Sequence, residues 1–147
     1  MKKLLYFFSI IILCFLVLFS LKKPLASFDK SQEVTIRYES FEDGNTSYTY
    51  TLTIPSSDNE ILHDILQKKA WYVSSGLSEF FLSQNHISES DSIITIYFDE
   101  MMLSISSNGV IRDITNDKYA YISLINNQKK CKPIYEKVYA LLSNESS

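Results

Sequence analysis

The strongest constraint on the fold is an uncharged, mostly apolar run at residues 4–21, with Lys2 and Lys3 before it and Lys22 and Lys23 after it. At about 1.5 Å per residue, a helix of this length spans roughly 27 Å, close to the ~30 Å hydrocarbon core of a bilayer. A segment of this kind is either inserted into a membrane or passed across one. We therefore assign residues 1–24 to an N-terminal transmembrane anchor or signal segment.

The same segment shares some features with a cleaved signal peptide. Signal peptides combine a basic start, about 7–15 apolar residues and a cleavage site with small residues, and this apolar run is longer. Cleavage after Ala26 would put Pro24 where a small residue is expected, and cleavage after Ser20 would put Leu18 there. We therefore favour an uncleaved single-pass anchor in the cell membrane, and secretion after cleavage is the alternative.

The orientation follows from the charges that flank the apolar run. Two lysines stand on each side, and the free amino terminus adds one positive charge to the N-terminal side. Because positive flanks stay in the cytoplasm, we expect the N-terminus inside and the domain outside.

Charge and length constrain the part of the chain beyond the anchor. Four of the 14 basic residues lie in the first 24 positions, so 10 basic and 17 acidic residues remain, a net charge of −7. Such a charge repels phosphate backbones, and we exclude nucleic acid as a partner. The remaining length suits one domain, for which we assign a polar tether at residues 25–33 and an α+β globular domain at residues 34–147. Cys131 is the one cysteine past the apolar run, so no disulfide can form inside the domain.

Alternating side chains predict a β-hairpin at the start of this domain. Apolar and aromatic residues recur at every second position on both sides of Asp43-Gly44, a pair that suits a tight hairpin turn. The predicted apolar face consists of Val34, Ile36, Tyr38, Tyr48, Tyr50, Leu52 and Ile54, and its three tyrosines are expected to pack in the core.

Helices and further strands come after the hairpin. Ser57 and Glu60 form a capping-box pattern for a helix that buries Ile61, Leu62, Ile65 and Leu66. A short helix is predicted around Leu77, Phe80 and Phe81, then an exposed loop at residues 84–91. Strands are predicted at residues 93–98, 101–106, 110–115 and 119–125. Pro133 is placed in the first turn of a last helix, whose inward-facing residues are predicted to be Ile134, Val138, Leu141 and Leu142. The predicted fold class is α+β, an antiparallel sheet packed against two or three helices.

The order of these elements carries a resemblance to a known group of domains. The alternating residues 93–98 and the closing PIYEKVY at residues 133–139 resemble small exported Gram-positive domains of unknown function. Those domains are similar in layout to the TATA-box-binding-protein fold. The resemblance covers roughly residues 33–143 and implies the fold alone, because the group has no assigned activity. The stretch at residues 77–91 departs from that layout.

No arrangement of residues predicts catalysis, a cofactor or a metal. His63 beside Asp64 lacks a second pair for a metal site, and His86 stands alone in a polar stretch. Cys131 falls on the apolar side of the last helix, where a structural thiol is expected. The acidic residues Glu89, Asp91, Asp99 and Glu100 lack calcium-loop spacing. We therefore predict that the chain is not an enzyme.

Two groups of residues are candidates for contact with a partner. Trp71 and Tyr72 follow the first predicted helix, and large amphipathic rings are favoured at binding surfaces. Thr49 and Thr51 lie in residues 47–54, a strand with no charge or proline, which can accept a partner's strand if it borders the sheet.

The expected function is a membrane-anchored extracytoplasmic binding module without catalytic activity, whose partner is a protein or peptide. One alternative is an immunity or inhibitor protein against an exported cationic toxin, because the charge of −7 would attract such a ligand. The other alternative is an enzyme, for which Cys131 and His63 are the one candidate pair.

Overall fold

The computed structural model describes residues 6, 8–12, 21–42, 45–54, 59–81, 91–123 and 125–145. In chain order the elements are β1 Lys23–Pro24, β2 Val34–Glu42, β3 Asn45–Ile54, α1 Asn59–Leu66, β4 Lys69–Ser74, α2 Ser75–Phe81, β5 Ser92–Tyr97, β6 Met102–Ser106, β7 Ile111–Asp113, β8 Lys118–Tyr121 and α3 Asn127–Glu145. The strands form one antiparallel sheet in the order β1-β4-β8-β7-β6-β5-β2-β3. The predicted α+β class is confirmed.

The predicted hairpin is formed by β2 and β3. Val34 lies opposite Ile54 and Tyr38 lies opposite Tyr50, so the alternating apolar residues share one face. The register shifts between Ser40 and Phe41, where β3 carries one extra residue. The predicted turn at residues 43–44 lies outside the described residues.

One face of the sheet is covered by α1 and α3, and the main core lies between these layers. Its fully buried side chains come from both: Val34, Ile36, Leu62, Leu66, Ile94, Ile96, Leu103, Ile105 and Val138. On the opposite face, α2 packs over β8, where the hydroxyls of Ser78 and Tyr121 bond at 2.6 Å. The short helix expected around Leu77 is confirmed, although Leu77 itself is exposed.

The inner face of α1 differs from the prediction at one residue. Leu62 and Leu66 are buried as expected, whereas Ile61 is exposed. The helix begins at Asn59, which is buried and whose side-chain amide donates to the Gln32 carbonyl. Asn59, Leu62 and Leu66 therefore form the buried stripe, and Ile61 points about 100° away from Leu62. The proposed cap at Ser57 lies outside the described residues.

The start of the last helix was predicted too late. Pro133 is inside α3, which begins at Asn127. The Asn127 side chain accepts the N–H of Ile122 at 2.8 Å and donates to the Ala120 carbonyl at 3.1 Å, and these bonds fix the beginning of the helix. Pro133 is an exposed residue of α3. The expected inward positions of Ile134, Val138 and Leu142 are confirmed, and Leu141 is partly buried against the core.

The segment expected to be a polar tether is packed where it begins. Leu25 and Ala26 belong to the core. The N–H of Leu25 donates to the Lys68 carbonyl at 3.0 Å, and that of Ala26 donates to the Leu66 carbonyl at 3.3 Å. The sheet also starts at Lys23 instead of Val34, because β1 pairs with β4, a strand that the sequence did not predict. The ordered packing therefore begins about ten residues earlier than expected.

The four later strands follow one another as the predicted meander, although the last two are shorter than predicted, at Ile111–Asp113 and Lys118–Tyr121. Gly109 adopts a φ of +86° in the turn between β6 and β7, where a side chain would collide with the Gln128 backbone. Within the described residues, no helix is both long and apolar enough to cross a bilayer. Tyr6 and residues 8–12 are helical, but most of the predicted span at residues 4–21 lies outside the described part. So does most of the loop predicted at residues 84–91.

Candidate functional site

The hairpin strand expected to accept a partner lies at a border of the sheet. Among the described strands, β3 pairs with β2 alone. It is ten residues long and contains neither a charged residue nor a proline. Natural sheets normally block such a border with charges, prolines or a very short strand, so β3 is an open edge within the described part of the chain.

The direction of the main-chain groups along β2 identifies which residues of β3 face outward. The N–H of Phe41 donates to the Asp91 carbonyl at 2.8 Å, toward β5. Along an antiparallel strand, the main-chain N–H and C=O groups of successive residues point alternately to the two neighbouring strands. The main-chain groups of Tyr38 and of the other even-numbered residues of β2 therefore bond to β3. Tyr38 is opposite Tyr50, so the residues on either side of Tyr50 direct their backbone away from β2. The outward-facing residues are exposed threonines: Thr49, Thr51 and Thr53.

A cleft of about 280 Å³ lies beside this edge, on the side of the sheet that α3 covers. The ring of Tyr38 lies 6.3 Å from that of Tyr48 and 5.4 Å from that of Tyr139, measured between centroids. We call it the tyrosine cleft, and its lining is uncharged: Tyr38, Tyr48, Tyr50, Tyr139, Leu142 and Ser143. Sequence reasoning placed the first three tyrosines in the core. That placement is wrong for Tyr48, which is 57% exposed.

Tyr135 packs against Tyr139, one of the residues that line the tyrosine cleft. Its ring stacks on that of Tyr139 with 6.0 Å between centroids, and its hydroxyl bonds to that of Ser92. Burial raises the pKa of the Tyr135 hydroxyl above its ordinary value. The Tyr135 phenol is therefore uncharged at neutral pH and adds no charge next to the aromatic lining.

Trp71 and Tyr72 lie on β4, far from the open edge. The Lys22 ammonium sits 3.8 Å from the centre of the Trp71 ring. The Tyr72 hydroxyl donates to the Leu25 carbonyl at 2.6 Å, and burial raises its pKa. Five strands separate β4 from β3, so at ~4.8 Å per strand the two groups are about 29 Å apart. The structure therefore does not combine the predicted contact residues into one site.

The residues considered for catalysis have separate local partners. His63 bonds to Gln67 at 3.0 Å and meets the ring of Phe28 edge-on at 5.5 Å. Cys131 is buried in α3, where its thiol bonds to the Asn127 side chain at 3.4 Å. Burial raises the pKa of the Cys131 thiol to about 11. The thiol is therefore protonated at neutral pH, which is unfavourable for a nucleophile.

No cluster suited to a metal ion is found in the described ranges, where no three His, Cys, Asp or Glu side chains converge. Asp91, Asp99 and Glu100 are exposed. His86 and Glu89 lie outside the described residues. The absence of a cofactor and the absence of an enzymatic activity stay predictions.

The chain matches no protein-family model, and comparisons with curated proteins and with solved structures give no significant match. The layout resemblance to small exported domains therefore stays a prediction.

Proposed function

We propose that the protein is a non-catalytic binding module, held in the cell membrane by residues 4–21 with its domain outside the cytoplasm. The module binds an extended segment of a partner protein, which adds to the sheet beside β3. The observation that carries this proposal is the unblocked edge of β3, ten residues without charge or proline.

The main-chain groups of the edge supply affinity that does not depend on the partner's sequence. Thr49, Thr51 and Thr53 direct N–H and C=O groups outward, and a strand added there would bond to them. Alternate side chains of that strand would fall on the side of Tyr48 and Tyr50. The tyrosine cleft would then select among partners by the side chain that enters it, since aromatic rings dominate contact energies at interfaces.

The charge of the domain favours a basic partner. A net charge of −7 past Pro24 attracts cationic segments and speeds their association at low ionic strength. The tyrosine faces can in addition hold a lysine or arginine side chain through cation–π contacts. The same charge supports a second candidate function, an immunity or inhibitor protein that intercepts an exported cationic toxin.

Peptide selection tests the proposed binding mode. The full chain, in lipid nanodiscs, would be used to select binders from a library of unstructured peptides. We expect basic peptides that protect the Thr49 and Thr51 amides from hydrogen exchange and that lose affinity when alternate backbone nitrogens are methylated. The variant T49K/T53K should bind them at least about tenfold more weakly, because lysines on an edge oppose strand addition.

The matched control is I61K/I125K, which adds the same two charges at exposed isoleucines away from the edge. It should retain the affinity. Selected peptides that leave exchange at Thr49 and Thr51 unchanged would show that the edge is not the binding site. An affinity that is insensitive to salt would count against the inhibitor function.

Membrane topology is tested separately in intact cells. A protease or an impermeant cysteine reagent directed at a C-terminal tag should reach the domain without lysis. If the tag becomes accessible only after lysis, the proposed orientation is wrong.

A further inference from the structure

The connection between the apolar run and the sheet is too short to let the domain move freely. Lys22 alone separates the run from β1, where Lys23 pairs with Ala70 and Pro24 pairs with Lys69. At no more than ~3.6 Å per residue, Lys23 lies within about 7 Å of the last residue of the run. If residues 4–21 span the membrane, the β1 end of the sheet must therefore lie at the bilayer surface.

Exposed lysines are concentrated at this end. The start of α3 is tied to it, because the Lys22 ammonium donates to the Ile122 carbonyl at 3.0 Å and the Ile122 N–H donates to Asn127. Lys68 also lines the same cleft as Pro133 of α3. We call the following exposed residues the lysine corner: Lys23, Lys68, Lys69, Lys129, Lys130 and Lys132.

The lysine corner carries unpaired charge. In the described part of the chain, ion pairs hold Lys30, Arg37 and Arg112, whereas none of the six corner lysines is paired with a carboxylate. Outside the corner, Lys118 and Lys137 also lack an ion pair among the described residues. Five of the 10 basic residues past Pro24 lie in the corner, so five basic and 17 acidic residues remain elsewhere, a net charge of −12. The domain is therefore strongly polarised.

The position of three of these lysines is unfavourable for the helix that carries them. Lys129, Lys130 and Lys132 lie within the first six residues of α3, which has no acidic residue in its first turn. The helix dipole disfavours cations at this end. An anionic surface in contact with the corner would remove this disadvantage.

We infer that the lysine corner docks on the anionic phospholipid headgroups of the bilayer that holds residues 4–21. This inference rests on the membrane anchorage proposed above. Each lysine near an anionic surface strengthens binding roughly fivefold, and the acidic remainder of the domain is repelled from the same surface. Docking would hold the domain in one orientation, with the open edge of β3 about 34 Å away across seven strand spacings.

Trp71 is a built-in reporter of this docking. It is the single tryptophan of the chain and lies on β4, next to β1. The full chain would be reconstituted in vesicles of phosphatidylcholine, with or without phosphatidylglycerol, that carry a nitroxide-labelled headgroup. We expect quenching of Trp71 to be about threefold greater in the anionic vesicles, and we expect high salt to remove the difference.

Matched variants distinguish an effect of the lysine corner from an effect of the total charge of the domain. K129Q/K130Q should lower the ratio of docked to undocked domain by roughly 25-fold, the product of two fivefold losses. K30Q/K118Q removes the same charge outside the corner and should change the ratio by less than about twofold. Glutamine has nearly the helix propensity of lysine, so α3 should be preserved, and thermal unfolding checks this.

Equal quenching in both kinds of vesicle, or equal loss in the two variants, would overturn the inference. Flotation with phosphatidylcholine vesicles distinguishes this failure from failure of the anchor. A chain that floats but shows no lipid-dependent quenching contradicts the lysine corner alone. A chain that does not float contradicts the anchor, and the inference with it.

Discussion

The sheet ends in two strands that differ in length, charge and surroundings. At one border, β1 has two residues, a lysine and a proline, and leads directly into buried Leu25 and Ala26. At the other border, β3 has ten uncharged residues whose threonines are exposed. Charge, proline and shortness are the features with which proteins prevent edge-to-edge association. The first border carries all three, and the second carries none.

The comparison shows that charge, proline and shortness are present at the β1 edge of the sheet and absent from the β3 edge. An unblocked edge carries a risk of aggregation, so a binding role gives a reason for its presence. The closed border is the one next to the apolar run, and the open border lies at the far side of the sheet. The division suits a domain that is fixed at one end and available at the other.

The largest expected effect concerns the packing next to β1. Leu25→Ala should lower the free energy of unfolding by about 2–5 kcal/mol, because a fully buried leucine is truncated and a cavity remains. Leu77→Ala, at an exposed leucine of α2, should cost less than about 1 kcal/mol. Denaturant titration in detergent measures both. Similar losses for the two variants would mean that residue 25 belongs to a free tether after all.

Cys131 should make the free energy of unfolding depend on pH in the alkaline range. Burial raises its thiol pKa from 9.0 to about 11, so the folded state holds the proton more tightly than the unfolded state does. The stabilisation is complete below pH 9 and is lost as the pH rises through 11, and it amounts to at most about 2–3 kcal/mol. Unfolding titrations between pH 8 and 11 should show a steeper decline for the native chain than for Cys131→Ala. Parallel declines would contradict the burial of the thiol.

The two borders can be compared by replacing one tyrosine near each with phenylalanine, which removes a single hydroxyl oxygen. Tyr72→Phe should lower the free energy of unfolding by about 1–2 kcal/mol, because the Leu25 carbonyl loses its donor. Tyr48→Phe at the open border should change it by less than about 0.5 kcal/mol. Thermal unfolding of the two variants measures the difference, which should disappear if Leu25 is not held by β4.

The smallest expected effect is at the open border itself. Thr49→Lys should alter the free energy of unfolding by less than about 0.5 kcal/mol, because residue 49 is exposed and lies opposite Glu39. In the unbound chain, the Thr49 and Thr51 amides should exchange hydrogen much faster than those of Tyr48 and Tyr50. A large loss of stability, or slow exchange at both threonines, would show that the edge is already covered.

The parts of the fold that were predictable depend on local patterns. The hairpin follows from alternation along residues 34–54, since the pattern and the turn are next to each other in the chain. The inner face of α3 follows from the spacing of Ile134, Val138 and Leu142. The open edge was also expected from composition, because residues 47–54 lack charge and proline.

The remaining features depend on contacts between distant parts of the chain. The pairing of β1 with β4 brings Lys23 to Ala70, and a strand of two residues has no periodicity of its own. The tyrosine cleft needs Tyr48 of β3 and Tyr139 of α3 on one side of the sheet. Pro133 was misleading because the Asn127 side chain, through bonds to the end of β8, already begins the helix six residues earlier.

If the chain is exported across a membrane, the sheet order also limits the time in which a signal peptidase can act on it. β4 connects β1 to the other strands through β8 alone, so residues 23–26 have no finished sheet to join until β8 has been synthesised. At about 5–20 residues per second, the wait is roughly 5–20 s. A signal peptidase acting after Ala26 would have to cut within this interval, and it would remove Leu25 from a core not yet assembled. Signal-peptide cleavage and the packing of residues 23–26 onto the sheet would therefore be competing events.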